Sequence, residues 1–205
     1  MRRAREAEES LQPKFRGLTI DQWKTANSHP ATQTQRGMVA LTVRHFLRDY
    51  FLPNGKTDLL LYGPPGVGKT HLAVTAFRDL VRAGLSGMFV DYQTLIASIA
   101  ESWKSGDNKL AKRAKEVDVL LIDDLGAQRP IDWAKDAIQD IVTIRYARPR
   151  ASIIATTNLP LELGPIGVRS LPDIIGLPAF SRLTDAASCV IVDMRPLPDF
   201  RKDRI

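Results

Sequence analysis

Cysteine is almost missing from this 205-residue chain: Cys189 is the one thiol, so no internal disulfide can form. It lies in the apolar run AASCVIVDM, the setting of a core residue rather than of a reactive thiol. Three scattered histidines and one cysteine offer no metal-site spacing. No stretch approaches the roughly 18 apolar residues of a membrane span. The start, MRRAREAEES, lacks the apolar core of a secretory signal, and Glu6, Glu8 and Glu9 are foreign to a transit peptide. These absences point to a reducing, cytoplasmic setting with no membrane partner. What remains, 44% hydrophobic and 25% charged residues, is a globular balance, and the length suits one domain with a real core.

The net charge is +6 and the pI about 9.6, which permits a polyanionic partner without requiring one. The positive charge recurs in KRAK (Lys112–Lys115), RYARPR (Arg145–Arg150) and FRKDRI (Phe200–Ile205). Solvated helix faces account for such residues as readily as a nucleic acid does.

Residues 1–14 form a short charged segment, and 15–205 read as one domain. FRGLTIDQW (Phe15–Trp23) can pack an apolar edge onto the body. Met38, Leu41, Val43, Phe46, Leu47 and Tyr50 approximate helical spacing, and Pro53-Asn54-Gly55 ends that pattern. DLLLYG, GMFVDY, VDVLLID, ASIIATTN and AASCVIVDM are five short apolar runs, alternating with helical patterns. The helix IDWAKDAIQDIVTIRYA carries Trp133, Ala137, Ile141 and Ile144 on one stripe. LPLELGPIGVRSLPDIIGLPAF is rich in Pro and Gly and poorly periodic. The alternation predicts an α/β fold, a five-stranded parallel sheet with helices on both faces and its ligand site at the carboxyl ends of the strands.

GPPGVGKT, Gly63 to Thr70, matches G-x-x-x-x-G-K-[ST] between a strand and a helix. In such a loop Gly63, Pro64, Pro65, Gly66, Val67 and Gly68 wrap backbone amides around phosphate oxygens, and the following helix points its positive end at the anion. Lys69 can reach the β- and γ-phosphates of ATP, and Thr70 can offer a hydroxyl to Mg2+. His71, next after the motif, is counted with the nucleotide-binding residues, in a supporting or packing role rather than a catalytic one. In VLLIDDLG, Asp123 ends a strand where a carboxylate holds Mg2+. Asp124 is a candidate base or water-positioning group, or caps the next turn. Asn158 in ATTN is a candidate γ-phosphate sensor, although Thr-Asn also starts turns. Arg182 in FSRL completes the AAA+ order, either as a finger reaching the neighbouring subunit's γ-phosphate or as a surface ion-pair residue.

Together, GPPGVGKTHLA, VLLIDDLGAQ, RYARPRASIIATTNLPLEL, SRL and PDFR resemble the DnaC/DnaI-type bacterial helicase loaders, with the IstB transposition helpers as close relatives. The resemblance covers roughly residues 15 to 201. It implies an AAA+ P-loop ATPase that assembles head to tail, binds single-stranded DNA and helps open a hexameric replicative helicase onto it. By the same resemblance, Trp103 and Trp133 match DNA-facing aromatic positions, with Lys104, Lys109 and Lys112 near them for phosphates. Trp133 reads equally as helix core. Arg201 resembles a second sensor that touches the nucleotide, with Arg195 as its rival. Three features depart from the pattern. Only about 14 residues precede the ATPase core, where the loaders carry a helicase-binding domain. Pro178 stands where the loaders tend to have an arginine one turn before the finger. The short tail leaves little or no C-terminal helical lid. An IstB-like transposition helper, acting on duplex DNA with a transposase, is the alternative function. A nucleotide-gated DNA-binding adaptor with little turnover is another.

Overall fold

The five apolar runs are strands in a computed structural model that describes residues 11, 13–25, 30–127, 132–165 and 167–199. They are β1 (Asp58–Tyr62), β2 (Gly87–Asp91), β3 (Val119–Asp123), β4 (Ser152–Thr157) and β5 (Cys189–Asp193). All pairings are parallel and the order is β2-β3-β4-β1-β5. β1, β3 and β4 are buried along their whole length, which is why they read as unbroken apolar runs.

Successive side chains serve opposite faces. Leu59, Leu61, Val119, Leu121 and Ile154 enter one core, under α1 (Ile20–Thr25), α2 (Pro30–Asp49) and α3 (Lys69–Arg82). Leu60, Leu120, Ile122, Ile153 and Ala155 enter the other. That second core is covered by α4 (Tyr92–Ser105), α5 (Lys109–Glu116), α6 (Asp132–Tyr146), α7 (Leu171–Ile175) and α8 (Leu177–Leu183). Cys189 lies in it, and burial pushes its thiol up to about 12, so it stays an inert core residue. No helix among the described residues is long and apolar enough to cross a membrane.

Several expectations change. The helix expected from Met38 begins at Pro30, and Met38 and Leu41 face solvent; Arg36, Ala40, Val43, Phe46 and Tyr50 are its buried face. Leu11 is buried in the first core, so the packed body takes in a residue that the sequence assigns to the polar segment. The Pro/Gly-rich stretch holds α7 and α8; Ser170 starts α7 by donating from its amide and hydroxyl to Asp173. On α6 the buried positions are Ala134, Ile138, Ile141, Val142 and Arg145, whereas Ile144 is exposed and Trp133 and Ala137 are only partly buried.

The inward turn of Arg145 explains that last difference. Its guanidinium donates to the carbonyls of Ala114 (2.9 Å), Val117 (2.8 Å), Asp118 (2.9 Å) and Ser152 (2.6 Å). These oxygens lie at the end of α5 and at the starts of β3 and β4. Burial lowers the Arg145 pKa to about 10, still well above neutrality, so the group remains a cation. Four charge-assisted bonds of ~1.5–3 kcal/mol each outweigh the several kcal/mol of desolvation. Arg148 and Arg150 also bond carbonyls, those of Lys115, Val117 and Phe51. Arg145 thus braces the backbone from inside, while Arg148 is half-buried and Arg150 exposed. FRKDRI lies outside the described residues.

Asp58 begins β1, and its Oδ1 accepts the Ile153 amide at 2.6 Å. Burial raises its pKa from 3.8 to about 7, opposed by that bond and by Arg145. The folded chain thus keeps a proton that the unfolded chain releases. On this account stability is greatest below about pH 4 and falls by roughly 4 kcal/mol as pH rises to about 7. Asp58→Asn is expected to flatten this part of the profile. Urea midpoints of both proteins from pH 4 to 8 check it, and equal slopes would remove Asp58 as the source.

Candidate active site

The strand ends Tyr62, Asp123 and Thr157 fall along one edge of the sheet, because all the strands are parallel and in register. After β1 the chain turns through Gly63-Pro64-Pro65-Gly66-Val67-Gly68 into α3. Gly66 and Gly68 hold φ of 85° and 92°, conformations that glycine adopts at little cost. A Cβ on Gly63 would lie 2.9 Å from the Met194 backbone, and one on Gly66 would meet the Asp199 carboxylate. Lys69 is buried at the start of α3. Its Nζ donates to the carbonyls of Gly63 and Pro64, both at 2.8 Å, and to Asn158 Oδ1 at 2.6 Å. The loop and the sensor candidate, 89 positions apart, thus meet on one ammonium.

The two aspartates divide by environment. Asp123 is buried and accepts from Thr70 Oγ1 (2.9 and 3.2 Å) and from Thr156 Oγ1 (2.6 Å). Burial raises its pKa, and the Thr156 and Thr70 hydroxyls partly offset this. Asp124 is exposed and adopts a left-handed backbone, φ 51°. Its amide donates to Thr156 Oγ1 at 2.9 Å, and its Oδ1 accepts from Asn158 Nδ2 at 3.2 Å. The side chain thus meets the sensor candidate, while the following turn is closed by the main chain, Ala127 donating to the Asp124 carbonyl. Thr156 links the two acids. The strand-end stretch Thr156–Asn158 is expected at this edge from the sequence, but the bridging role of the Thr156 hydroxyl is not.

The segment Phe15–Trp23, the strap before β1, packs onto the body as the sequence leads one to expect, and it also reaches the loop. Trp23 is buried in α1 and its Nε1 donates to the Val67 carbonyl at 3.3 Å, holding the cradle from outside. Two α3 side chains hold the same strap. His71 Nε2 donates to the Thr19 carbonyl at 2.9 Å, and Arg78 donates to the Leu18 carbonyl. Burial lowers the His71 pKa, against the Thr19 bond. Its position is that of a packing neighbour of the cradle.

Other candidates lie apart. Arg182, on α8, lines a small cavity with Asp58 and Ile153 near the amino ends of β1 and β4, away from the cradle of its own chain. Trp103 and Trp133 meet edge to face, centroids 4.8 Å apart at 72°, beside a surface cavity of about 440 Å³. Trp103 is 63% exposed. Of the three lysines, Lys109 is paired with Asp107 (2.9 Å) and Lys112 more loosely with Glu116 (3.9 Å), while Lys104 lies in the last turn of α4. Arg195 is committed to Asp193 (2.7 Å) and lies over the Tyr62 ring. Arg201 is outside the described residues.

A glycine-rich loop, a helix N-terminus and a buried lysine make a polyphosphate site. Thr70 and Asp123 add a hydroxyl and a carboxylate, hard oxygens suited to Mg2+ that keeps phosphate and water ligands. Trp23→Phe keeps a ring in the core and removes the donor to Val67. MgATP affinity is expected to weaken about fivefold, the equivalent of ~1 kcal/mol. Calorimetric titration measures it, and an unchanged Kd would show that this bond does not set the loop.

Residues 24–164 match the family described as IstB-like ATP binding protein. The ATP-binding protein of insertion sequence IS21 from Pseudomonas aeruginosa is 32% identical over 104 residues, 49% of this chain and 38% of that protein. The replicative helicase loader DnaC of Escherichia coli K12 is 26% identical over 104 residues, 49% of this chain and 42% of the loader. The chain spans about half or less of the length of these curated relatives. A crystal structure of the DnaC helicase loader superposes with a TM-score of 0.69 at 30% identity, covering 88% of this chain and 99% of that one. The fold is that of an AAA+ P-loop NTPase, and the chain belongs to the IstB-like ATP-binding family.

Proposed function

We propose that this protein is an ATP-binding and ATP-hydrolysing helicase loader. It acts in the cytoplasm, binds single-stranded DNA and helps load a hexameric replicative helicase in DNA replication. The observation that carries the ATPase reading is the unbroken set of contacts Lys69–Asn158–Asp124 and Thr70–Asp123–Thr156 at one edge of the sheet. The likeness to the DnaC structure over nearly all of that chain supports the loader reading.

In this mechanism Gly63–Thr70 hold the phosphates of ATP, and Lys69 leaves its protein oxygens for the β- and γ-phosphates. Thr70 and Asp123 would hold Mg2+, which when bound neutralises charge developing on the phosphates. Asp124, exposed and bonded to Asn158, orients the attacking water and accepts its proton; Asn158 senses the γ-phosphate. Arg182 of one copy reaches the γ-phosphate of the next in a head-to-tail assembly, a contribution of ~10³–10⁵ in rate for such arginines. Arg201 remains the proposed second sensor, since Arg195 is engaged with Asp193. DNA bases stack on Trp103 and Trp133 for ~1–3 kcal/mol each, with Lys104, Lys109 and Lys112 toward the phosphates. Turnover is slow and governed by DNA and assembly. The IS21 relative favours one second reading, a transposition helper that prefers duplex DNA and binds a transposase.

Single-stranded DNA is expected to raise ATP turnover, and Asp124→Asn to remove turnover while leaving MgATP binding within about twofold. Phosphate release measured with and without DNA tests both; an unchanged rate in the variant removes Asp124 from catalysis. The loader reading further expects an ATP-dependent complex with the host's hexameric helicase. Failure to form that complex with ATP, with ADP and without nucleotide would sink it, and preference for duplex DNA would favour the transposition reading.

A further inference from the structure

α8 ends at Leu183, and the chain turns at once into β5. That turn is built on Asp185. Its carbonyl accepts the amides of Ser188 (3.0 Å) and Cys189 (2.8 Å), its Oδ1 accepts the Ala187 amide (3.0 Å), and its own amide donates to the Arg182 carbonyl (3.3 Å). The other carboxylate oxygen, Oδ2, accepts the Tyr146 hydroxyl at 2.8 Å. Tyr146 is the last residue of α6, which packs along α8. Tyr146 and Arg182 line one small cavity. The guanidinium is folded back along its own helix, Nη1 donating to the Pro178 carbonyl at 2.9 Å.

The Tyr146 hydroxyl contributes little to stability. The residue is 50% exposed, and water can replace the hydroxyl at Asp185 if it is lost. What the bond does is tie the end of α6 to the turn that follows α8, the helix that carries Arg182. A long side chain that must place a charge in another subunit's site needs its helix end held to within about 1 Å. We propose that Tyr146 is a positioning residue for Arg182: through Asp185 it sets the end of α8 from which the guanidinium of one copy reaches the next copy's γ-phosphate. This rests on the reading of Arg182 as acting between subunits.

Mixed assemblies separate the two ideas. Lys69→Ala has a dead site and an intact arginine; Arg182→Ala has an intact site and lacks the arginine. Each is inactive alone, and mixing restores DNA-stimulated turnover where the first chain serves the site of the second. Tyr146→Phe is then added to either chain. On the Lys69→Ala chain it is expected to lower kcat about ten- to a hundredfold with KM unchanged. On the Arg182→Ala chain it is expected to change neither, and the melting midpoint stays that of the parent. Loss in both placements, or in neither, overturns the positioning role while restored turnover leaves the intersubunit arginine standing. If mixing restores nothing, the intersubunit reading fails and the proposal with it.

Discussion

The register of β3 against β4 is the constraint on which the site hangs. Val119 lies opposite Ser152 and Ile122 opposite Ala155, which brings Asp123 beside Thr156. A slip of one residue would exchange the two faces of a strand and send the acid away from the hydroxyl. Both ends of the pair are fastened. At the amino ends, Arg145 bonds the carbonyls of Val117, Asp118 and Ser152. At the carboxyl ends, Thr156 donates to Asp123 and accepts from the amide of Asp124. The left-handed backbone of Asp124 belongs to the same arrangement, since it turns the second carboxylate out to Asn158 while the first stays buried.

Electrostatics in this protein divide along the sheet. Several arginines of the basic sequence are spent on carbonyl oxygens: Arg145 inside the second core, Arg148 and Arg150 at the strand starts, Arg78 on the strap before β1. Each adds a cationic donor to a backbone carbonyl. At the opposite edge the one buried cation, among the cradle residues, is Lys69, and its three oxygen partners are the groups that an incoming polyphosphate would replace.

The parts of the site that could be read from the chain are those whose chemistry is contiguous. The glycines, lysine and threonine of the loop lie within eight positions and the acid follows an apolar run directly; in the structure the loop leads into α3 at Lys69 and Asp123 ends β3. The roles of Thr156 and Trp23 are not legible in the sequence because they depend on partners 33 and 44 positions away. Arg145 misled for the reverse reason. Periodicity scores arginine as polar and puts Ile144 on the core stripe, yet four carbonyls at the end of α5 and the starts of β3 and β4 make the arginine the better buried residue. The Pro/Gly-rich stretch hid α7 and α8 because each is too short to show a helical period.

Local chain chemistry was enough to dictate a parallel α/β sheet, a glycine-rich loop between a strand and a helix, and an acidic pair at a strand end. Short apolar runs, glycines with positive φ and a lysine at a helix start impose these at close range. Packing assigned the rest: which aspartate is buried, which hydroxyl joins the pair, which tryptophan holds the loop and which faces outward. Those outcomes depend on distant segments competing for the same space and the same hydrogen bonds, and no local pattern records who wins that competition.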